Sequence, residues 1–580
     1  MASLEVESPG IAPVLDRLAR EDVLGQLLER RGRIAELATE AGDVKLDWCD
    51  KVAWALDHPD AIAELETLAA SIRSRFDHVI WSGMGGSVQC VHTLKGLGLF
   101  AGSRIDVHPL DSTDPAALNR VLREIGADED IESALRSTLM VGVSMGMTSE
   151  EPITHLRWFD GLLNEHGLER PAEHIMVMTL PGSFLDHFAA ERGATRVDVQ
   201  LDGASHTPGR MSAPSTRVFL LPAALAQPGR LQEVMQRCQA EAPLDRDMLE
   251  SDPFVRLAAW LSIQVDAGRD MLVLDLPQQW APLAPWIEQV VEESLGKDGR
   301  GLLIFYQQDL GFASEWPDRF SILRVNKGSR VNLPDRPYAE LRLDDSSDPV
   351  SRLSTCARVF AGWNLTVAVL GYLQDITFAG QPAVESYKSY ARRLRDAPGV
   401  LPYPGDGLDL ERSPNGAAAV LASRIRSLAQ AGRLGYFDLT VNCDAAGPLW
   451  DAANSAGREF GNQVLRRPVK IRCGPRDYHS TEQSETAGSP DLLSLRVLVT
   501  DPEPVVAGEY GARFLQAQAL GTVLAMREAG RQVLLASVCR ADGDAALAVL
   551  LRDTASQLGR PIRRSARTSG HERRRLTAGE

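Results

Sequence analysis

At 580 residues the chain is too long for one compact core, since domains run to roughly 100–200 residues, and more than one domain is expected. Its composition, 44% hydrophobic and 24% charged, is that of an ordinary soluble protein, and a formal net charge of -16 argues against a general nucleic-acid binder. The seven cysteines (Cys49, Cys90, Cys238, Cys356, Cys443, Cys473 and Cys539) form no Cys-x-x-Cys pair and no histidine stands at metal-ligand spacing, which suits a reducing cytoplasm without structural zinc.

No apolar run reaches the roughly 18 residues of a membrane span, and the acidic start Met1–Ser8 lacks the basic region of a signal peptide. Residues from about 12 to 75 carry helical periodicity broken at Gly42 and His58–Pro59, which predicts an N-terminal helical segment over 1–75. From Asp77 strands alternate with helices: His78–Ser82, Arg104–Leu110, Thr138–Ser144, His174–Leu180 and Thr195–Gln200. Such alternation implies a parallel sheet flanked by helices, here a first α/β domain over 76–264, with ligands at the carboxyl ends of the strands.

The helical stretch Leu231–Ile263 leads to a second alternating region. Its strand candidates are Met271–Leu276, Leu302–Tyr306, Phe320–Val325, Tyr436–Val441, Val469–Arg472, Leu493–Val499 and Val533–Val538, which predict a second domain over 265–558 facing the first across a cleft. Asn326–Pro337 and Asp396–Gly416 read as loops, and 559–580 as a disordered basic tail.

Four stretches carry candidate chemistry. His78–Ser82 ends in Gly83-Met84-Gly85-Gly86-Ser87, where bare backbone lets an anion approach the amides of Gly85, Gly86 and Ser87; a tight turn without a ligand has the same sequence. Ser144-Met145-Gly146-Met147-Thr148-Ser149-Glu150-Glu151 puts hydroxyls at a helix start, which suits a phosphate or a plain N-cap. In the helix through Trp286 and Val290, Glu293 falls on the same line while Glu288 and Glu292 turn to the opposite side. Bordering the apolar stripe, Glu293 loses hydration, which raises its pKa toward that of a general base, and Gly296 soon ends the helix; incidental acids in a last turn would look the same. His479 is the only histidine between His206 and His571, so any imidazole supplied by the second half is this one; a structural role in a polar turn is its alternative.

Read together, Gly83–Ser87, Leu110–Pro115, Gly209–Ser212 leading to Leu221–Leu225, Glu293–Gly301, Gly380–Lys388 and Gly474–Thr481 resemble phosphoglucose isomerases over about residues 45–545, in motif order. The resemblance is greatest to the isomerase half of bacterial transaldolase/phosphoglucose isomerase fusions, and no stretch of this sequence reads as a transaldolase half. It implies two sugar-isomerase (SIS) domains and metal-independent, cofactor-free interconversion of glucose 6-phosphate and fructose 6-phosphate. By the same resemblance Gly85, Gly86, Ser87, Ser144, Thr148 and Ser149 hold the phosphate, and Glu293 moves a proton between C2 and C1. Arg210 stabilises the cis-enediol, Lys388 assists at the ring oxygen and His479 takes part in ring opening. The implied partner is a small-molecule sugar phosphate, with no nucleic acid and no membrane, and members of the family are commonly homodimers.

Two departures bear on substrate. The family's phosphate turn reads Ser-Lys-Ser/Thr-Gly-Thr-Thr, whereas Met145, Gly146 and Met147 here replace the lysine, a hydroxyl and a glycine. Where the fusion relatives carry Gly-Gln-Leu-His-Lys-Gly-Gly, this chain has Glu482–Gly488, without the histidine and lysine. A charge-assisted contact to phosphate contributes about 1.5–3 kcal/mol, so weaker binding, another sugar phosphate, or a catalytically silent sugar-phosphate-binding protein stand beside the first reading.

Overall fold

The computed structural model describes residues 2–5, 10–147, 149–241, 251–326, 336–399, 401, 407–410 and 412–560; the basic tail, apart from its first two residues, lies outside them. The chain opens with strand β1 (Ser3–Glu5) and, after three short helices, a hairpin of β2 (Thr39–Glu40) and β3 (Asp43–Val44). The rest is mixed α/β, built on three five-stranded sheets.

The first sheet holds β4 (His78–Ser82), β5 (Asp106–Leu110), β6 (Thr138–Val143), β7 (Ile175–Thr179) and β8 (Thr195–Asp198), all parallel, in the order β5-β4-β6-β7-β8. The middle sheet orders β9 (Met271–Asp275), β10 (Leu303–Tyr306), β11 (Phe320–Val325) and β12 (Tyr338–Arg342) as β10-β9-β11-β12, with β1 antiparallel on β12, Leu4 opposite Leu341. The third sheet is parallel β15-β14-β16-β17-β13, from β13 (Leu408–Asp409), β14 (Tyr436–Asn442), β15 (Val469–Gly474), β16 (Leu492–Val499) and β17 (Gln532–Val538).

Every residue of β6, β14 and β16 is buried, which is why these strands read as near-continuous runs rather than alternating patterns: helices cover both faces. Counted from β4, β9 and β14, the three sheets share one order, second-first-third-fourth. Connections from the first strand leave toward opposite edges, so a crevice opens at the carboxyl ends of its first and third strands.

The strands read as one second domain over 265–558 lie in two sheets. Extended-strand patterns identify strands but not their pairing, and the helices Pro349–Gln374 and Pro382–Asp396 intervene between β12 and β13. Helix Pro349–Gln374 bears on the membrane reading. By length and mean hydropathy, 1.3 over its best window, it could span a bilayer, but 94% of that window is buried inside the protein. Counting only uninterrupted apolar runs misses it, because Arg358 falls within the helix; that guanidinium is itself buried and paired with Asp252 at 2.7 Å.

One apolar cluster joins the N-terminal helices, a face of the first sheet, the middle sheet and helix Pro349–Gln374, with the rings of Trp286 and Phe360 4.1 Å apart. Another joins the middle and third sheets, where Phe305 meets Tyr436 edge-on at 5.7 Å.

Candidate active site

The crevice between β4 and β6 holds a cavity of about 310 Å³. Gly85, Gly86, Ser87, Ser144, Ser149, Arg210, Glu293, Lys388 and His479 all line it, so every described residue that the sequence singled out converges on one sugar-sized space. Thr148, the remaining candidate, lies outside the described residues. A more voluminous open cleft, about 1040 Å³ beside Trp158, Phe184 and His187, contains none of them.

After β4 the backbone turns through Gly85, which has φ +55°. A Cβ on Gly85 would lie 2.6 Å from Gln289 Nε2 and 3.1 Å from the His479 Cβ, and one on Gly86 2.9 Å from the Arg210 Cα. The missing side chains therefore let three other parts of the chain close on the turn, a packing reason that applies with or without an anion. The Ser87 hydroxyl donates to Met84 O at 2.7 Å and accepts from Met84 N at 2.8 Å, while the Ser144 hydroxyl donates to Gly146 O at 2.9 Å. Both hydroxyls shape their own turns.

Glu293 stands in the last turn of helix Ala284–Leu295, almost wholly buried. Its Oε2 lies 3.2 Å from Arg210 Nε and accepts from Gln289 Nε2 at 3.0 Å. The guanidinium is held on its other side: Nη1 donates to Phe378 O at 3.1 Å, and Nη2 to Gly380 O at 3.1 Å and Gln381 Oε1 at 2.8 Å. A planar fork fixed at this many points can present one edge to the carboxylate without reorganising. The same segment is tied down by Lys297, whose Nζ donates to Thr377 O at 2.6 Å and Ala379 O at 2.7 Å. Burial, and then the neighbouring Arg210 charge, push this ammonium down to about 7.

The side of the helix opposite Trp286 and Val290 is not solvent. Glu288 pairs there with Lys470 at 2.7 Å, and Glu292 with Lys470 and, at 3.5 Å, Arg472, all buried against β15. The amphipathic pattern was real in sequence, but the polar face packs on the third sheet.

His479 is the second residue of helix Tyr478–Ala487. Its Nε2 is 2.8 Å from Glu151 Oε1 and 3.0 Å from the Tyr387 hydroxyl, and Gln518 Nε2 donates to the same Glu151 oxygen at 3.0 Å. Burial disfavours a charged Glu151, but the His479 charge and hydrogen bond, with Lys388 nearby, hold the carboxyl well below its ordinary range. Sequence reasoning saw Glu150 and Glu151 only as helix-start acids. The helix does begin at Glu151, with no side-chain cap from Glu150, which instead pairs with Arg392 and Arg395 at 3.0 Å each. Other functional neighbours it missed are Gln289, Lys297, Tyr387, Gln381, Glu40 and Lys45. Gln289, one turn before Glu293 on its helix, left a signal in the spacing, and Lys297, Gln381 and Tyr387 lie within the stretches that carry the resemblance.

Of the two sequence departures, only one reaches the cavity. Met145, Gly146 and Met147 line it and bring no charge. Glu482–Gly488 contributes nothing to the wall: Gln483 donates to Gly296 O at 3.1 Å, and Glu482 reaches Arg496 at 3.1 Å.

No family model matches the chain. It is 30% identical over 237 residues to glucose-6-phosphate isomerase of Synechococcus sp. (strain JA-3-3Ab), covering 40% of this chain and 42% of that protein. To the enzyme of the same name from Thermosynechococcus vestitus it is 28% identical over 251 residues, 41% of this chain and 45% of the other. The chain thus spans less than half the length of these curated relatives. Among solved structures, a hypothetical protein from Thermus thermophilus superposes with TM-score 0.54 at 19% identity, over 68% of this chain and all of that one. A glucose-6-phosphate isomerase from Chlamydia trachomatis does so with TM-score 0.50 at 16% identity, over 64% and 85%. The fold is that of the SIS isomerases, and the resemblance to phosphoglucose isomerases read from the motifs holds.

Proposed function

We propose that this chain interconverts glucose 6-phosphate and fructose 6-phosphate through a cis-enediol, without a metal, with Glu293 as the base. The observation that carries the reading is the Glu293–Arg210 pair, 3.2 Å apart and buried, on the wall of a cavity that also presents two serine-bearing turns. Arg210 stands against the Glu293 carboxylate, both side chains buried, so the base and a fixed cation face the same small space. Glu293 then takes the proton from C2 of the opened aldose and returns it to C1, while the positive charge of Arg210 beside it favours the negative charge that develops on oxygen. Ring opening falls to His479, braced by Glu151 and Tyr387, with Lys388 at the ring oxygen. The phosphate rests against Gly85–Ser87 and Ser144–Ser149. A cytoplasmic protein acting on a small sugar phosphate is part of this reading.

The uncharged turn Met145–Met147 supports a second reading, isomerisation of another sugar phosphate. A coupled assay with fructose 6-phosphate tests the first: turnover that survives a chelator and falls about 10²–10⁴-fold in Glu293→Gln is expected. Turnover unaffected by Glu293→Gln excludes Glu293 as base. If only another ketose phosphate reacts, and reacts through Glu293, the second reading replaces the first.

A further inference from the structure

Two charged residues of the cavity wall, Glu40 and Lys45, belong neither to the strand-end turns nor to the helices that carry Glu293 and His479. They come from the β2–β3 hairpin. Its turn, Ala41-Gly42, has φ +50° and +90°, the doubly left-handed geometry that a two-residue hairpin of natural twist requires.

The hairpin is keyed to the site. Lys45 N donates to Ala38 O at 2.9 Å, and Phe378 N donates to Leu37 O at 2.9 Å. Phe378 is the residue whose carbonyl accepts from Arg210, so one short segment fixes both the guanidinium and the hairpin. Glu40 lies against that segment as well: a Cβ on Gly380 would be 3.3 Å from its Oε1.

The cavity is lined by three full cations, Arg210, Lys388 and Lys45. Arg210 is committed to Glu293 and to three backbone and amide acceptors, and Lys388 Nζ lies 3.0 Å from Glu385. Lys45 Nζ has Asp43 at 3.5 Å, whose carboxylate is 68% exposed and therefore screened by water. An anion entering the cavity gives this ammonium a closer and drier partner.

We infer that Lys45 binds the phosphate monoester of the substrate, supplying the cationic contact that the Met145–Met147 turn lacks. The inference rests on the sugar-phosphate reading of the site. Lysine suits the role as a mobile point charge on a short, braced hairpin.

The test is calorimetric titration of the full chain with sorbitol 6-phosphate, which has no carbonyl to isomerise, alongside fructose 6-phosphate kinetics, for wild type, Lys45→Met and Lys45→Arg. Lys45→Met is expected to weaken Kd about 10- to 100-fold and to raise KM far more than it lowers kcat, with much of the affinity regained in Lys45→Arg. Wild-type affinity in a folded Lys45→Met, or loss of affinity in Lys45→Met that tracks a fall in Tm shared by Lys45→Arg, overturns the inference. If the wild type turns over fructose 6-phosphate while Lys45→Met binds normally, Lys45 falls and the isomerase reading stands. If the wild type turns nothing over but binds sorbitol 6-phosphate through Lys45, the isomerase reading falls and Lys45 stands. A wild type that neither binds sorbitol 6-phosphate nor turns over fructose 6-phosphate ends both.

Discussion

Arg210 shows how much a single residue can be asked to do. Its edge faces Glu293 while the rest of the fork grips Phe378, Gly380 and Gln381, so shape matters as much as charge. Arg210→Lys keeps the charge and loses the fork. We expect kcat to fall about 10²-fold with KM changed far less, the scale of removing one donor aimed at developing charge. Equal kcat for Arg210→Lys in steady-state assays argues that only the charge counts. At this scale the sequence was most legible where chemistry and helical spacing agree, as at Glu293. It was least legible where a partner comes from far along the chain. Glu151 and His479 lie 328 residues apart, and no local pattern announces their 2.8 Å contact.

Between elements, the buried ionic layer linking helices Ala284–Leu295 and Tyr478–Ala487 to β14–β16 makes its own prediction. Glu485 is ion-paired with Arg472, 2.6 Å from its Nε, and contacts Arg496, yet burial and then the nearby Asp438 carboxylate raise it from 4.5 to about 8. A folded-state value above the unfolded one contributes stability that is complete below about 4.5 and lost as pH rises through about 8. The wild-type Tm is therefore expected to fall between pH 6 and pH 9, and Glu485→Gln, which needs no proton, to flatten that fall. A variant whose Tm drops as steeply as the wild type's over this range refutes the assignment. Sequence placed the long strands to within one or two residues, because apolar runs bounded by turn residues survive any tertiary context. It missed β1, β2, β3, β12 and β13, which are short, polar or adjacent to Pro- and Gly-rich stretches, and whose extended form is imposed by their neighbours rather than by their composition.

Taken whole, the molecule spreads one site over all three sheets. The turns come from the first, Glu293 from the helix after β9, and His479 from the helix after β15. The apolar clusters also cross these boundaries, Phe305 on Tyr436 being one case. We expect a single urea transition in which the proposed isomerase activity, tryptophan fluorescence and far-ultraviolet dichroism are lost together. Early loss of activity with most dichroism intact would mean that the third sheet unfolds on its own. The sharing of one strand order by three sheets was hidden in the sequence, since order is a property of pairing and not of any strand.

The antiparallel seat of Ser3–Glu5 on Tyr338–Arg342 has a consequence for biosynthesis. A segment that leaves the ribosome early must wait, without its edge, for a strand translated more than half a chain later. The hairpin bearing Lys45 is likewise made long before the helix that brings His479. The cavity wall is therefore complete only once the helix that brings His479 has been made and has folded onto it.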